Sequence, residues 1–223
     1  MFRNREDAAD QLITQLAKYR HAHTLVLGIP RGAVPMAKHI ADALGAEFDV
    51  VLARKLGAPD NPEYAIGAIA EDGWVCLLPD AQWSGATPDY IEADKAKQRA
   101  VILARKRQYD AIRSPHTARG KNVIVVDDGL ATGATMMAAL HGLRAQEPAK
   151  LICAVPVSPQ DTLLRIRGLC DEVVCLLVPT DFHAVAQFYL HFAQVSDEEV
   201  LACLRGSSKT PRASPPGSGH THQ

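Results

Sequence analysis

The amino-acid sequence predicts an α/β protein in which an open, mainly parallel twisted sheet is flanked by helices. Short runs of β-branched and apolar residues recur along the chain, and amphipathic stretches of helical length separate them. Each run is apolar at nearly every position, which is typical of strands that are covered on both faces. The alternation of strands and helices indicates βαβ units with right-handed crossovers.

The individual elements follow from this alternation. The five predicted strands are 24–28, 48–53, 122–126, 150–155 and 172–178. The accompanying helices are predicted at about 4–20, 33–44, 133–147 and 160–169. Two closing helices are predicted at 181–192 and 196–204, the second with Ser196 at its N-cap and Glu199 in the capping-box position.

One region interrupts the alternation. Residues 66–79 are predicted to form a small hairpin with its turn at Asp72-Gly73, and residues 89–113 one long charged helix. That helix carries the cations Arg105, Lys106 and Arg107. A solvated helix face is the preferred interpretation of these charges, a contact between subunits is the next, and a nucleic-acid contact is the least favoured.

The chain is predicted to fold as a single domain over residues 1–205. Within it, a small hood is expected at about 181–205, and the inserted hairpin and helix occupy about 66–113. Residues 206–223 are crowded with Gly, Ser and Pro and hold almost nothing that could be buried. We therefore expect them to form a disordered tail.

Composition excludes several classes of function. The chain has 223 residues, and its 24 Lys and Arg against 25 Asp and Glu leave a net charge of -1, so no global field draws it onto nucleic acid or an anionic membrane. The first residues are polar where a secretory signal is apolar, and no run approaches the roughly 18 apolar residues of a membrane span. We expect a cytoplasmic protein that binds neither nucleic acid nor membrane. Its five cysteines include no CxxC pair and are expected to be small buried hydrophobes.

The stretch 123–136 carries the clearest chemical signal. An apolar strand ends in Asp127 and Asp128, and a loop of small and hydroxyl-bearing residues then leads into a helix. The two carboxylates are acceptors that suit the hydroxyl groups of a sugar or a hydrated metal. Thr132, Gly133 and the free amide groups at the start of the helix suit a phosphate. The pattern predicts a site for a sugar phosphate with a free diol, at the carboxyl end of a strand.

Two commoner phosphate loops do not match this stretch. Gly133 is followed by Ala-Thr where the Walker loop has Lys-Ser or Lys-Thr, and no strand is followed by G-x-G-x-x-G. A purely structural role, with the acids capping a strand and the glycines forming a turn, is the weaker interpretation.

The stretch resembles the ribose-phosphate-binding motif of the type I phosphoribosyltransferases, in which an apolar strand, two acidic residues and a loop rich in threonine and glycine follow one another. The resemblance implies that Asp127 and Asp128 bind the ribose diol, and that Mg²⁺ is held through water and these carboxylates. It also implies that the sugar 5-phosphate lies on the loop residues Ala131, Thr132, Gly133, Ala134 and Thr135.

Two further segments extend the resemblance to roughly the whole chain before the tail. The loop after the first strand, with Arg31 and Gly32, matches the position of the family's short pyrophosphate loop. Arg54 and Lys55 follow the second predicted strand and resemble the start of the mobile catalytic loop in adenine-specific members. Glu63 lies in the lid that follows and is a candidate to approach the reacting sugar. Three cations at one edge of the sheet suit a diphosphate.

The resemblance implies a transferase of nucleotide metabolism, of the salvage type. It would move the ribose 5-phosphate group of phosphoribosyl diphosphate to a nitrogenous base and release pyrophosphate, with Mg²⁺ as cofactor. A lid at about 55–66 would exclude water. Ala131 stands where enzymes acting on 6-oxopurines carry an aspartate, which argues against hypoxanthine and guanine. The resemblance also implies a homodimer, for which the helix 89–113 offers a surface.

Two alternatives stay open. A non-catalytic sensor on the same fold would bind a sugar phosphate or nucleotide without turnover. A phosphatase or sugar-phosphate kinase would use the acid pair for phosphoryl transfer with a metal, but the further metal-ligand cluster or nucleotide loop that it needs does not occur in the sequence. For the transferase, Asp128→Asn is expected to lower turnover by orders of magnitude with little loss of stability.

Overall fold

A computed structural model describes residues 1–206 and confirms the parallel sheet. The strands of the chain are β1 Thr24–Gly28, β2 Glu47–Val50, β3 Ala53–Gly57, β4 Ala65–Ala70, β5 Val75–Leu77, β6 Asn122–Val126, β7 Lys150–Val157 and β8 Glu172–Leu177. Five of them form one sheet in the order β2-β1-β6-β7-β8, and every neighbouring pair in it is parallel. Strands β1, β6 and β7 are buried along nearly their whole length, as their apolar runs predict.

The helices begin and end at recognisable signals. They are α1 Arg5–Gln15, α2 Val34–Leu44, α3 Pro88–Asp110, α4 Ala134–Arg144, α5 Gln160–Arg167 and α6 Asp197–Gly206. Asn4 caps α1 and Thr87 caps α3, each by accepting a hydrogen bond from the backbone three residues on. The predicted capping box of α6 is confirmed: Ser196 N donates to Glu199 Oε2 at 2.7 Å, and Glu199 N donates to Ser196 Oγ at 3.2 Å.

The predicted strand 48–53 is confirmed over 48–50 but wrong in its end, because the chain leaves the main sheet after Val50. Val51 N donates the last hydrogen bond to the carbonyl oxygen of Gly28, where β1 ends, and Ala53 begins a strand of another sheet. That sheet is antiparallel, with the order β3-β4-β5. The predicted hairpin is therefore present with a third strand added, and its turn at Asp72-Gly73 is confirmed by the bond from Trp74 N to Asp72 Oδ1, 2.9 Å. A continuous apolar run does not reveal a break of this kind.

The segment 181–192 does not form the helix that its sequence predicts. Only a short 3₁₀ turn, Val185–Phe188, is present. The residues after it pair with the N-terminus of the chain: Phe2 N donates to the Phe188 carbonyl at 2.8 Å, and Leu190 N donates to the Phe2 carbonyl at 2.9 Å. Because these backbone groups are engaged in a bridge, they are not available to continue a helix.

The core lies on both faces of the parallel sheet. Helices α1, α2 and α6 bury Leu12, Ile40 and Val200 on one face, while α4 buries Met136 and Leu140 between the other face and the small sheet. The inserted helix α3 is largely solvated, as predicted, with Ile102 and Tyr109 as its buried contacts. Within residues 1–206, no helix is long and apolar enough to cross a membrane. The tail predicted from residue 206 lies, apart from Gly206, outside the described residues.

Candidate functional site

The loop between β6 and α4 has a geometry that suits an anion. Gly133 is the N-cap of α4 with a φ of 74°, and a Cβ at this position would lie 2.6 Å from Thr162 Cγ2. Ala134 N donates a long bond of 3.4 Å to Thr132 Oγ1, which orients this hydroxyl at the start of the helix. The unpaired amide groups and the positive end of the helix dipole at this point favour a phosphate.

The loop lines a cleft of about 470 Å³ at the carboxyl edge of the parallel sheet. The residues predicted for the site that line it are Lys55, Glu63, Asp127, Ala131, Thr132, Gly133, Ala134 and Thr135. Residues that the sequence did not single out line it as well, among them Tyr64, Leu130 and Met136. Phe182 and His183 close one side, at the place expected for the start of the hood.

The acid pair at the end of β6 carries strongly perturbed carboxyl groups. Burial and the adjacent Asp128 carboxylate raise the pKa of Asp127 well above its usual range. Burial also raises the pKa of Asp128, but the Arg5 guanidinium opposes this increase. Asp128 N donates to Asp127 Oδ1 at 2.9 Å, and this hydrogen bond fixes the Asp127 carboxyl against the backbone of Asp128. Two neighbouring buried carboxyls resist double ionisation, and of these two only Asp128 makes an ion pair within residues 1–206.

Arg5 is a site residue that the sequence interpretation missed. Its Nη2 lies 2.8 Å and its Nε 2.9 Å from Asp128 Oδ2, and both side chains are about 15% exposed. The same guanidinium stacks on the Phe192 ring and donates to the Ala193 carbonyl oxygen at 2.5 Å. Arg5 is the first residue of α1, where the helix dipole disfavours a cation. That unfavourable position is the one local signal that Arg5 has a partner outside its own helix.

Of the three predicted cations, only Lys55 lines the cleft. Lys55 lines the cleft and pairs with Glu63, whose pKa it lowers, at a distance of 2.5 Å. Arg54 is the preceding residue of β3, so its side chain leaves the opposite face and donates to Gln98 Oε1 on α3 at 3.0 Å. Arg31 pairs instead with Asp197 at 3.5 Å. The sequence predicts that each of the three cations follows a strand of the main sheet. This is wrong for Arg54 and Lys55, because both lie within β3 of the small sheet.

The pyrophosphate-loop candidate nevertheless touches the acid pair. Gly32 packs so closely on Asp128 that a Cβ at this position would overlap the carboxylate oxygen Oδ2. Arg31 therefore extends from a loop that is in direct contact with the end of β6. This brings Arg31 and Gly32 next to the acids, although neither of them lines the cleft itself.

The donor set fits Mg²⁺ only as an ion shared with a ligand. Across residues 1–206, no group of three or more His, Cys, Asp or Glu is placed to hold a metal. Asp127 and Asp128 supply two carboxylates, and one of these already pairs with Arg5. Mg²⁺ commonly takes one or two carboxylates together with water and phosphate oxygens, which matches this arrangement.

Comparison with known proteins agrees with the geometry. A family model described as "Phosphoribosyl transferase domain" matches residues 2–193. A Mycobacterium tuberculosis protein named "Putative phosphoribosyl transferase", found in two strains, is 42% identical over 206 residues, which cover 92% of this chain. The chain spans only about half of that relative, 46% of its length. The crystal structure of TT1426 from Thermus thermophilus superposes with a TM-score of 0.76 at 42% identity, covering 93% of this chain and 99% of that one.

The match spans the pyrophosphate-loop candidate, the acid pair and the phosphate loop, and it ends within the hood. The resemblance stated from the motif is thereby confirmed for the chain as a whole. The chain belongs to the phosphoribosyltransferase domain family, with the fold of its type I members.

Proposed function

We propose that the protein transfers the ribose 5-phosphate group of phosphoribosyl diphosphate to a nitrogenous base and releases pyrophosphate. The observation that carries the proposal is the single cleft in which Asp127, the loop 131–135 and Lys55 meet. An anion site at a helix start beside carboxylate acceptors matches a phosphorylated sugar with free hydroxyls. The whole protein's activity is part of this proposal. So are a homodimer and a cytoplasmic location, which rest on the sequence.

The sugar phosphate has two anchors in this arrangement. Its 5-phosphate accepts hydrogen bonds from the amide groups at the start of α4 and from the Thr132 and Thr135 hydroxyls, while Gly133 lets the backbone approach. The 2- and 3-hydroxyls donate to Asp127 and Asp128. Two anchors on opposite sides of the ribose ring fix the position of the anomeric carbon.

The reaction is a displacement at that carbon. The bond from C1 to the diphosphate oxygen breaks, its electron pair leaves with pyrophosphate, and a ring nitrogen of the base forms the new bond to C1 and loses its proton. Lys55, Arg54 and Arg31 stabilise the leaving charge, and the Asp127 and Asp128 carboxylates stabilise the positive charge that develops on the sugar. Asp127 and Asp128 would hold Mg²⁺ through water, and the bound ion would supply neutralisation of negative charge in the substrate. Most of the rate then comes from positioning.

The loop 58–64, between β3 and β4, is the proposed lid over the cleft. It is shorter than the expected 55–66, because residues at both ends belong to strands. Its base is held to α3: Gly57 N donates to Asp94 Oδ2 at 3.1 Å, and Tyr90 Oη donates to the Gly57 carbonyl at 3.0 Å. Glu63, 89% exposed, holds the Lys55 ammonium from the solvent side. A bound diphosphate would compete with Glu63 for Lys55 and so release this loop to close over the cleft.

The base is assigned to the hood side of the cleft. Phe182 and His183 line that side, and Phe182 stacks on Phe188 with ring centroids 5.4 Å apart. The Phe182 ring suits the flat face of a heterocyclic base, and the polar His183 ring suits its edge. Ala131 is exposed at the same cleft and offers no carboxylate to a base nitrogen, which disfavours 6-oxopurines.

The experiment is a scan of purine and pyrimidine bases with phosphoribosyl diphosphate and Mg²⁺, following pyrophosphate release. Release that depends on one base supports the proposal and names the substrate, and Asp128→Asn serves as the inactive control. Calorimetry with ribose 5-phosphate runs in parallel. Binding without release with any base would favour a sensor, whereas neither binding nor release would overturn the assignment of the cleft.

A further inference from the structure

Three arginines form a basic cluster beside the cleft rather than in it. Arg31 comes from the loop after β1, Arg54 from β3, and Arg105 from the inserted helix α3. We call these three residues the arginine cluster. Arg31 and Arg105 both face the Asp197 carboxylate, and burial and then the charges of these two arginines lower the pKa of Arg54.

The arginine cluster has an unbalanced charge. In the part of the chain that the structure describes, the ion pairs of Arg31 and Arg105 are made with one carboxylate, Asp197, and Arg54 bonds to the neutral Gln98. Three guanidinium groups thus share a single directly paired carboxylate. The Asp94 carboxylate also acts on Arg54, but without an ion pair. A ligand with several negative charges would match this cluster, whereas these two carboxylates do not offset all three cations.

The ion pairs of Asp197 are loose ones. Its oxygens lie 3.5 Å from Arg31 Nη1 and 3.7 Å from Arg105 Nη2, longer than the roughly 2.7–2.9 Å that is usual for a charge-assisted hydrogen bond. The Asp197 side chain is 49% exposed, while that of Arg105 is 19% exposed. Because the carboxylate is partly solvated and not held at hydrogen-bond distance, a stronger anion can displace it.

A buried hydroxyl next to the cluster also lacks a partner. Tyr109 is 1% exposed, and within residues 1–206 its Oη makes no hydrogen bond. The charges of Arg105 and Asp197 act on this phenol, which places it beside the same ion pairs. A buried donor without an acceptor is costly, so its presence here indicates that the cluster is complete only with an additional acceptor.

The arginine cluster and the cleft are joined through adjacent residues. Arg31 precedes Gly32, which packs on the carboxylate of Asp128, the neighbour of the cleft-lining Asp127. An anion that extends out of the cleft past Asp128 therefore reaches Arg31, and Arg105 faces the same carboxylate as Arg31, that of Asp197. In the proposed substrate, the diphosphate is the group that extends from the anomeric carbon.

We propose that Arg105 of the inserted helix binds the diphosphate of the substrate, and that Asp197 takes the place of that anion in the ligand-free protein. This inference rests on the proposed function. Asp197 is the first residue of α6, so diphosphate binding removes the contact that joins this helix to Arg31 and Arg105. Asp197 is then an intramolecular competitor that weakens diphosphate binding, and release of pyrophosphate restores its ion pairs.

The test is calorimetry with inorganic pyrophosphate on the full chain. Asp197→Asn should bind pyrophosphate about three- to tenfold more tightly, because two partly exposed ion pairs no longer compete. Arg105→Gln should bind it about tenfold more weakly. Asp89→Asn is the control for Asp197→Asn, since Asp89 is an exposed acid in the first turn of α3. Arg107→Gln is the control for Arg105→Gln, since Arg107 is exposed on the same helix.

Ribose 5-phosphate separates failure of this inference from failure of the proposed function. It lacks the diphosphate, so all four variants should bind it as the unsubstituted protein does. If ribose 5-phosphate binds but Asp197→Asn leaves pyrophosphate affinity equal or weaker, the inference is wrong and the proposed function stands. If phosphoribosyl diphosphate does not displace bound pyrophosphate, the pyrophosphate occupies a separate anion site. That result would also overturn the inference. If ribose 5-phosphate binds to no form of the protein, the proposed function itself fails.

Discussion

The Arg5 guanidinium lies 2.8 Å from Asp128 Oδ2 and joins the first turn of α1 to the acid pair at the end of β6. The two residues are 123 positions apart in the sequence. The contact pairs one of two adjacent carboxyls, whereas Asp127 makes no ion pair within residues 1–206 and feels the Arg5 charge only as a weaker effect on its raised pKa. The two acids of the motif are therefore expected to differ in their contribution to stability.

Replacing Arg5 by Gln should move the acid limb of the pH–activity profile to higher pH. The Arg5 charge opposes the increase that burial causes in the pKa of Asp128, so without it this carboxylate protonates at a higher pH. The loss of a largely buried ion pair should also lower the free energy of unfolding by about 2 kcal/mol. Arg3→Gln is the control, since Arg3 is 75% exposed and pairs with Asp7. An acid limb that does not move would contradict the role of Arg5.

The two acids should respond differently to neutralisation. Asp128→Asn leaves Arg5 without its partner and should lower the free energy of unfolding by about 2 kcal/mol. This revises the expectation of little loss that the sequence alone supports. Asp127→Asn removes a buried carboxyl that makes no ion pair within residues 1–206, and the asparagine Oδ1 can still accept from Asp128 N, so stability should be unchanged or rise by about 1 kcal/mol.

Both substitutions should lower turnover by about 100-fold or more, because each removes charge that stabilises the reacting sugar. Denaturant unfolding and steady-state kinetics of the two variants measure the two effects separately. Equal changes in stability would show that Arg5 does not distinguish the acids.

Thr132→Val should weaken ribose 5-phosphate binding by about five- to tenfold. The substitution keeps the shape of the side chain and removes one hydroxyl donor at the start of α4, and a hydrogen bond of this kind contributes about 1 kcal/mol. Calorimetry measures the affinity. Thr14→Val, on the exposed face of α1, is the matched control and should leave it unchanged. Equal affinity for the Thr132 variant would argue against the phosphate loop.

Gly133→Ala should destabilise the protein, and Thr162→Ser should partly restore it. The alanine would adopt a φ of 74° and place its Cβ 2.6 Å from Thr162 Cγ2, at a cost of about 2 kcal/mol or more. Serine at 162 removes that methyl group but keeps the hydroxyl that donates to the Ala131 carbonyl at 2.6 Å. A double-mutant cycle of thermal unfolding measures the coupling. Strictly additive effects would mean that the close approach is not what requires glycine.

Glu172 should make stability depend on pH below about 4.5. Burial acts to raise its pKa, but hydrogen bonds from Lys150, Lys18 and Tyr19 outweigh burial and lower the pKa from 4.5 to about 2. The carboxylate therefore stabilises the fold above the pKa of the unfolded chain, and this contribution is lost as the pH falls from about 4.5 towards 2. Solvent contact limits it to about 1 kcal/mol.

Unfolding of Glu172→Gln should accordingly vary less with pH over that interval. The Glu6→Gln variant, with its change at an exposed position, should keep the dependence of the unsubstituted protein. A parallel decline in both variants would assign the acid sensitivity to other carboxyls.

The sequence by itself determined the parallel sheet and the residue pattern of the proposed phosphate loop, because both depend on neighbouring residues. The apolar runs of β1, β6 and β7 specify buried strands locally, and 127–135 carries its acids, hydroxyls and glycines in one stretch. Capping of α6 by Ser196 and Glu199 is local in the same way.

Only the tertiary structure decided which charges act together. Lys55 and Arg54 are neighbours in sequence, but the alternation of side chains along β3 sends one into the cleft and the other to α3. Arg5 and Asp197 reach the site from the two ends of the described chain, through α1 and α6. Such pairings depend on how the helices pack over the sheet. This packing brings together surfaces that are distant in sequence, so no local pattern of residues encodes it.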